Sequence, residues 1–433
     1  MNRATLFGVL LAIAACGEPQ PCQPDGTCPP PLSCYQGVCQ NTLGKTPPGS
    51  DASADATCPT DPLPGAVADA AFAVFQGELA LIGGHAGRPR CSPSAAVAAR
   101  ADAIAFAPCG GFRALPPVPG TRYGAMAATA PDGALYVVGG RRDLGTGSSS
   151  PLGDTWRLAP GATTWAVGAG DIPGRSHGAL TATSSPRALW QHGGDIGVQP
   201  GVPAAIGALR RLDVPVVASD APTWELVPEG GDAPGPRRGH TLLGRPQALI
   251  LLGGAAVGGA LQEDVFRFDI AAGKWERIDI VSEAPTPRAF AAAAWLAGEQ
   301  IVLFGGVDAD WGPRNDLWRL DLASGTWTRL RAGDLGQDGQ VDGTIGAAPS
   351  TCNPPADVLG WALTDPERRA GGALMVTSNL AWLFSGAGAC GGLGDLWRLD
   401  LQSTQWVPLR TGGPRAACPY QQPGCSLLCL PGL

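Results

Sequence analysis

The chain is poor in charge and almost without lysine. Only 15% of its 433 residues are charged, and two of its 30 basic residues are Lys. At a formal net charge of −7 no basic stripe exists to neutralise phosphates, which excludes nucleic acid as a partner. Motifs for chemistry are equally scarce. There are four His and four Tyr, no CxxC pair to begin a zinc site, and no GxSxG nucleophile motif in a plausible context. No cofactor or metal is expected. What the chain has in excess is turn chemistry: Gly and Pro together number 105, about a quarter of the residues. They interrupt apolar runs such as "ALYVVGG", "ALILLGG" and "QIVLFGG", which read as short strands cut off by turns, so the class is all-β.

The N-terminus carries an address. Arg3 precedes an apolar stretch, 4–15, too short to span a bilayer as a stable helix. Ile13-Ala14-Ala15-Cys16 resembles the lipobox of bacterial lipoproteins, in which the Cys becomes the lipidated first residue after cleavage. Residues 1–15 are then a lipoprotein signal peptide, Cys16 is the lipid attachment site, and the lipid is the only membrane contact. An ordinary secretory signal, with Cys16 in a disulfide, is the alternative. Gly17 is not Asp, so the resemblance supplies no inner-membrane retention signal. It implies an exported protein anchored at the outer membrane or cell surface.

Without Cys16 twelve Cys remain, an even number for an exported chain, and disulfides are the default reading. Cys22, Cys28, Cys34 and Cys39 lie in a lipid-anchored segment, 16–39, with too little apolar content for a core; two disulfides, or less naturally a zinc ion, would hold it. Residues 40–57 are polar and aperiodic and read as a flexible linker, reaching ~60 Å at full extension. The remainder, 58–433, is a domain with a Cys-containing tail. Cys58, Cys418, Cys425 and Cys429 are candidates to staple its ends, Cys352 and Cys390 to stiffen a loop, and Cys91 to join them or pair elsewhere.

That domain repeats itself. Di-Gly pairs close apolar runs at 83, 139, 193, 253 and 305, with Ser385-Gly386 as a degenerate sixth. Phrases such as "DTWRL" (154–158), "DVFRFD" (264–269) and "DLWRLD" (316–321 and 395–400) follow, then a second Trp at 165, 224, 275, 327 and 406. An Arg precedes each apolar run, as in "GRSH" (174–177), "PRRGH" (236–240) and "PRAF" (287–290). Together these resemble the kelch repeat over 66–410, which implies a β-propeller of four-stranded blades. Six blades fit, because the 80-residue spacing between 305 and 385 exceeds a repeat only by a long loop, 331–365; seven would need strands that are not found. In "DLWRLDL", Trp318 and Leu320 alternate onto one face and Leu317 and Arg319 onto the other, making Trp318 a wedge between blades. The first repeat lacks the Arg phrase and has Phe112 near the second Trp position. "GGPRAACPY" (412–420) resembles the start of another repeat and is a candidate closing strand.

Loop lengths are unequal. Connections between strands one and two and between three and four are tight, whereas 85–101, 141–153, 195–208, 307–315 and 331–365 are long and leave a propeller from one face. Candidate rim residues for a ligand there are His85, Arg88, Arg141, Arg142, Asp143, Asp195, Asp308, Asp310 and Trp311. His177 and His240 read as one repeat position beside the Arg, and the recurrent Arg175, Arg237 and Arg288 as structural. The expected function is non-enzymatic binding of a protein or glycan. The alternative is a carbohydrate-active enzyme at the channel mouth, similar to sialate mutarotases or, with far less residue support, to galactose oxidase. For the anchor, Cys16→Ser is expected to abolish acyl labelling and release the protein from membranes; retention of that variant counts against lipidation.

Overall fold

The computed structural model describes residues 32–35, 38–41, 65, 67–85, 99–107, 111–144, 149–197, 205–214, 222–309, 312–333, 365–388 and 391–410. The chain divides into two units, Met1–Ser53 and Ala54–Leu433, a boundary inside the 40–57 stretch. In the first, Leu32–Tyr35 and Val38–Asn41 form an antiparallel hairpin that sets Cys34 opposite Cys39. Cys16, the other cysteines named above and the 412–420 segment lie outside the described residues.

The second unit builds one arrangement six times. Each apolar strand that ends in the Gly pair, or in Ser385-Gly386, is hydrogen-bonded on both sides, giving six sheets each built on four antiparallel strands that follow one another in sequence order, with short two-stranded pairings in some of the connections. Blade 1 consists of Ala71–Phe75, Glu78–Ile82, Ala103–Ala107 and Gly111–Leu115. Blades 2 to 6 occupy 126–169, 179–226, 241–277, 292–331 and 373–410, and Gly230–Gly231 adds a short parallel edge to blade 4. First strands neighbour one another around a common axis. The fold is a six-bladed β-propeller, the expected blade count. Arg331 and Asp365 clasp the base of the long 331–365 connection, Nη2 to Oδ2 at 2.6 Å.

Its core is the set of seams between blades. All five residues of Ala248–Leu252 are buried, because the strand has a blade on each face. Trp318 and Leu320 pack with Ile250 and Leu252 of blade 4, while Leu317 packs with Leu383 and Trp397 of blade 6. Trp318 is therefore the expected wedge. The seam of blades 6 and 1 uses the same parts: Phe112 takes the second Trp position, its ring 5.2 Å from Phe384, as Trp406 stands 5.2 Å from Phe304. Val67 completes the closure, its amide bonded to Leu393 O at 3.1 Å and its carbonyl accepting from Gly386 N at 3.2 Å and Ser385 Oγ at 2.6 Å.

The phrase "DLWRLD" has a chemical reason as well as a packing one. Arg288 Nη1 and Nη2 grip the two carboxylate oxygens of Asp316 at 2.7 and 2.8 Å, and Trp318 Nε1 donates to the same carboxylate at 2.7 Å. Arg369, Asp395 and Trp397 repeat this arrangement, as do Arg122, Asp154 and Trp156. Arg237 and Asp264 do so with Phe266 replacing the indole beneath the guanidinium. Removing the acid leaves a buried cation stranded. Asp316→Ala is expected to destabilise the propeller by about 3–5 kcal/mol, read as a lowered urea midpoint; a loss below about 1 kcal/mol would refute the clamp.

Candidate functional site

The Arg of each repeat, replaced by Val67 in the first, marks the register of two further positions at the axis. One residue on, the chain pairs antiparallel with the residue that follows the Gly pair: Ala68 with His85, Tyr123 with Arg141, Ser176 with Asp195, Arg238 with Ala255, Ala289 with Val307 and Ala370 with Ala387. Two residues on stand Asp69, Gly124, His177, Gly239, Phe290 and Gly371, all left-handed with φ between 52° and 63°. Backbone bonds link these six in turn, from Gly124 N to Asp69 O (2.8 Å) round to Gly371 N to Phe290 O (2.8 Å). At two of the three glycines the alternation is steric. A Cβ on Gly124 would meet His177 Nε2 at 2.5 Å, and one on Gly239 would meet the Phe290 ring at 2.8 Å. His177 and Phe290 stand edge to face with centroids 5.6 Å apart.

Two unlike arcs line the end of the axis from which the long connections leave. Blades 4 to 6 supply an apolar arc in which Ala255, Ala289, Val307, Ala370 and Ala387 pack with Phe290. Blades 1 to 3 supply a polar one. His85 Nε2 lies 3.1 Å from Asp69 Oδ2, and His177 Nε2 lies 3.9 Å from the same oxygen. Burial alone would raise the Asp69 pKa, but the nearby His177 and the hydrogen-bonded His85 outweigh it and hold the carboxyl well below the usual range. Tyr123 stands edge-on to His85 at 5.7 Å. Asp195 accepts from Arg238 Nη1 at 2.5 Å and from Gly197 N at 2.6 Å. Arg141 donates through Nε to Ser149 Oγ, while its Nη1 is buried without a hydrogen-bond partner.

Of the expected rim residues, His85, Arg141, Asp195 and Asp308 are buried rather than solvated. The first three belong to the polar arc. Asp308 is paired with Arg314 in blade 5. Arg142 points out to solvent and Asp143 is half-buried; Arg88, Asp310 and Trp311 lie outside the described residues. Sequence reasoning missed Asp69, Tyr123 and Phe290. The signal that finds them is alignment on the Arg rather than on the Gly pair.

Residues 181–336 match the family model for the KLHDC2/KLHL20/DRC7 kelch-repeats domain. The propeller is of the kelch type. Among curated relatives, an F-box/kelch-repeat protein of Arabidopsis thaliana is 34% identical over 109 residues, 23% of either chain. Acyl-CoA-binding domain-containing protein 5 of the same plant is 32% identical over 107 residues, 25% of this chain and 16% of that one. A host cell factor homolog of Caenorhabditis elegans is 24% identical over 239 residues, 45% and 30% of the two chains. The matched part of this kelch chain thus spans under a third of each of these relatives.

The two repeat histidines prove to be one position apart in the kelch register. His177 follows Arg175 by two and sits at the axis, whereas His240 follows Arg237 by three and lies in the seam of blades 3 and 4. There His192 Nδ1 is 3.0 Å from His240 Nε2, with Trp275 edge-on at 5.9 Å. Burial, reinforced by Arg237 and Arg175, pushes His192 down to about 3. Burial, His192 and Arg237 push His240 well below its ordinary value. Both rings are neutral in the fold. The unfolded chain therefore binds protons that the native one refuses, so their stabilisation is full above pH ~6.5 and is lost as pH falls toward about 3. Between pH 6.5 and 5, urea midpoints are expected to report a loss whose slope rises from about 0.7 toward about 1.4 kcal/mol per pH unit per His, with the slope roughly halved in His192→Gln. A flat wild-type profile would contradict the neutral pair.

Proposed function

We propose that this kelch propeller is a non-enzymatic binding module whose partner, a protein or a glycan, docks at the axial end bearing the long connections. The observation that supports this is the division of that end into a polar arc (His85, Tyr123, Arg141, Asp195) and an apolar one around Phe290. Groups already buried and oriented by their neighbours cost little further ordering when a ligand arrives. A partner oxygen would also supply the acceptor that Arg141 Nη1 lacks. The apolar arc would take an aliphatic side chain or the apolar face of a sugar. In the same reading the domain is exported and carried at the outer membrane or cell surface by lipid on Cys16, through the 40–57 linker.

The Asp69–His85 pair supports a second reading, a carbohydrate-active enzyme, since a buried carboxylate orients an imidazole for proton transfer. Glycan-array and pull-down measurements on the full chain separate the two. Arg141→Ala is expected to weaken capture about tenfold, about 1.4 kcal/mol, with the melting temperature nearly unchanged. Turnover of a captured sugar that is lost in Asp69→Asn would replace binding with catalysis.

A further inference from the structure

Blade 3 breaks the clamp that the other Arg-bearing blades share. Ala208 stands where Asp154, Asp264, Asp316 and Asp395 stand. Arg210 stands where Trp156, Phe266, Trp318 and Trp397 stand, and its register partner is Gln191 where theirs are Val137, Leu251, Leu303 and Leu383. Three polar or truncating changes thus meet at one place, the face of blade 3 turned toward blade 2.

The Arg that the clamp should neutralise is still present. Arg175 is 1% exposed. It keeps the bonds of its siblings to backbone, Nε to Pro173 O at 3.0 Å and Nη1 to Gly193 O at 3.4 Å. Where they reach a carboxylate, it reaches the neutral oxygen of Gln191 at 3.0 Å. Arg210 brings a second cation, whose Nη1 is buried with no hydrogen-bond partner. Among the described residues no Asp or Glu pairs with either guanidinium. Burial, with the charge of Arg210 added, pushes Arg175 down to about 9, which still leaves it a cation at neutral pH. A buried guanidinium beside a half-buried one of like charge, without an anion, is unfavourable, and a group that supplies the anion gains both.

We propose that the socket left by Ala208 binds a carboxylate group from solvent, held between Arg175 and Arg210. The sibling blades set the size and the approach. Each holds one carboxylate there, gripped by both Nη atoms of its Arg, and those carboxylates retain between 7% and 28% exposure, so the position is reached from outside. The site lies in a seam between blades and stands apart from the axial arcs.

Thermal unfolding of the full chain at pH 7.5 in sodium acetate, phosphate or chloride of equal ionic strength tests it. Acetate is expected to raise the melting temperature saturably, by about 2–4 °C over chloride. Arg210→Gln should remove that increment. Ala208→Asp, which restores the built-in acid, should raise the melting temperature without acetate and make acetate ineffective. Equal melting in acetate and chloride, or an acetate increment that survives both substitutions, would overturn the site. A phosphate increment with none from acetate would overturn the assignment to a carboxylate.

Discussion

Blade is fastened to blade by one hydrogen bond repeated around the ring. The amide of the second residue of each strand-ending pair donates to a carbonyl at the head of the next blade. Gly84 reaches Arg122 O at 2.8 Å, Gly140 reaches Arg175 O at 2.8 Å, and Gly306 reaches Arg369 O at 2.9 Å. That bond dictates the Gly pair. Both residues have positive φ, and a Cβ on the first would lie 2.5–2.7 Å from the accepting carbonyl at Gly83, Gly139, Gly193, Gly253 and Gly305. The exception falls where the chain closes on itself. Ser385 keeps the left-handed conformation at φ 65°, and its hydroxyl bonds the carbonyl of Val67, the acceptor that the Gly386 amide also uses. A side chain that would otherwise crowd the acceptor becomes a second donor to it.

Buried Arg–Asp pairs contribute little net stability when desolvation cancels their attraction. In this ring the Arg has a second task. Arg288 Nη1 donates to Gly305 O at 2.9 Å and Arg122 Nη1 to Gly139 O at 3.0 Å, satisfying a carbonyl that the turn takes out of the sheet. The Asp neutralises the charge that this task brings indoors. Blade 1 omits the arrangement consistently: Val67 replaces the Arg, and Asp102 turns to the more exposed Arg100. Blade 3 keeps the Arg and omits the acid. Losing the Arg leaves an Asp that the partly exposed Arg100 can neutralise, whereas losing the Asp leaves a buried cation, and that difference separates ordinary drift of a repeat from a site of defined charge.

The architecture was legible because each repeated residue answers to a neighbour that is itself repeated. The Gly pair faces the Arg carbonyl, the Asp faces the guanidinium, and the Trp fills the seam. The axial end was legible only in part. Arg141 and Arg142 looked equivalent from their place after the Gly pair, yet in an extended segment adjacent side chains point oppositely, so one is buried and the other exposed. Asp69 and Phe290 show only on alignment to the Arg position, because the left-handed position they share with His177 and three glycines has no common residue type. His177 and His240 misled by one residue, enough to place one at the axis and the other in a seam.

The departures from symmetry are themselves organised. In blades 1 to 3 the connections between second and third strands run 83–102, 139–154 and 193–208, and in blades 4 to 6 they run 253–264, 305–316 and 385–395, each shorter. The longer set begins with His85, Arg141 and Asp195 at or next to its root; the shorter set begins with Ala255, Val307 and Ala387. Among these second-to-third-strand connections the longer ones coincide with the polar lining and the shorter ones with the small apolar lining, while the long 331–365 connection joins blade 5 to blade 6. A ring under packing constraints alone has no reason to sort both properties into the same half. Every seam has an apolar core, but the seam of blades 2 and 3 also buries Arg175 and Gln191, and that of blades 3 and 4 buries the His192–His240 pair. Buried polar groups thus gather at the axial end of blades 1 to 3, where the connections between second and third strands are longest.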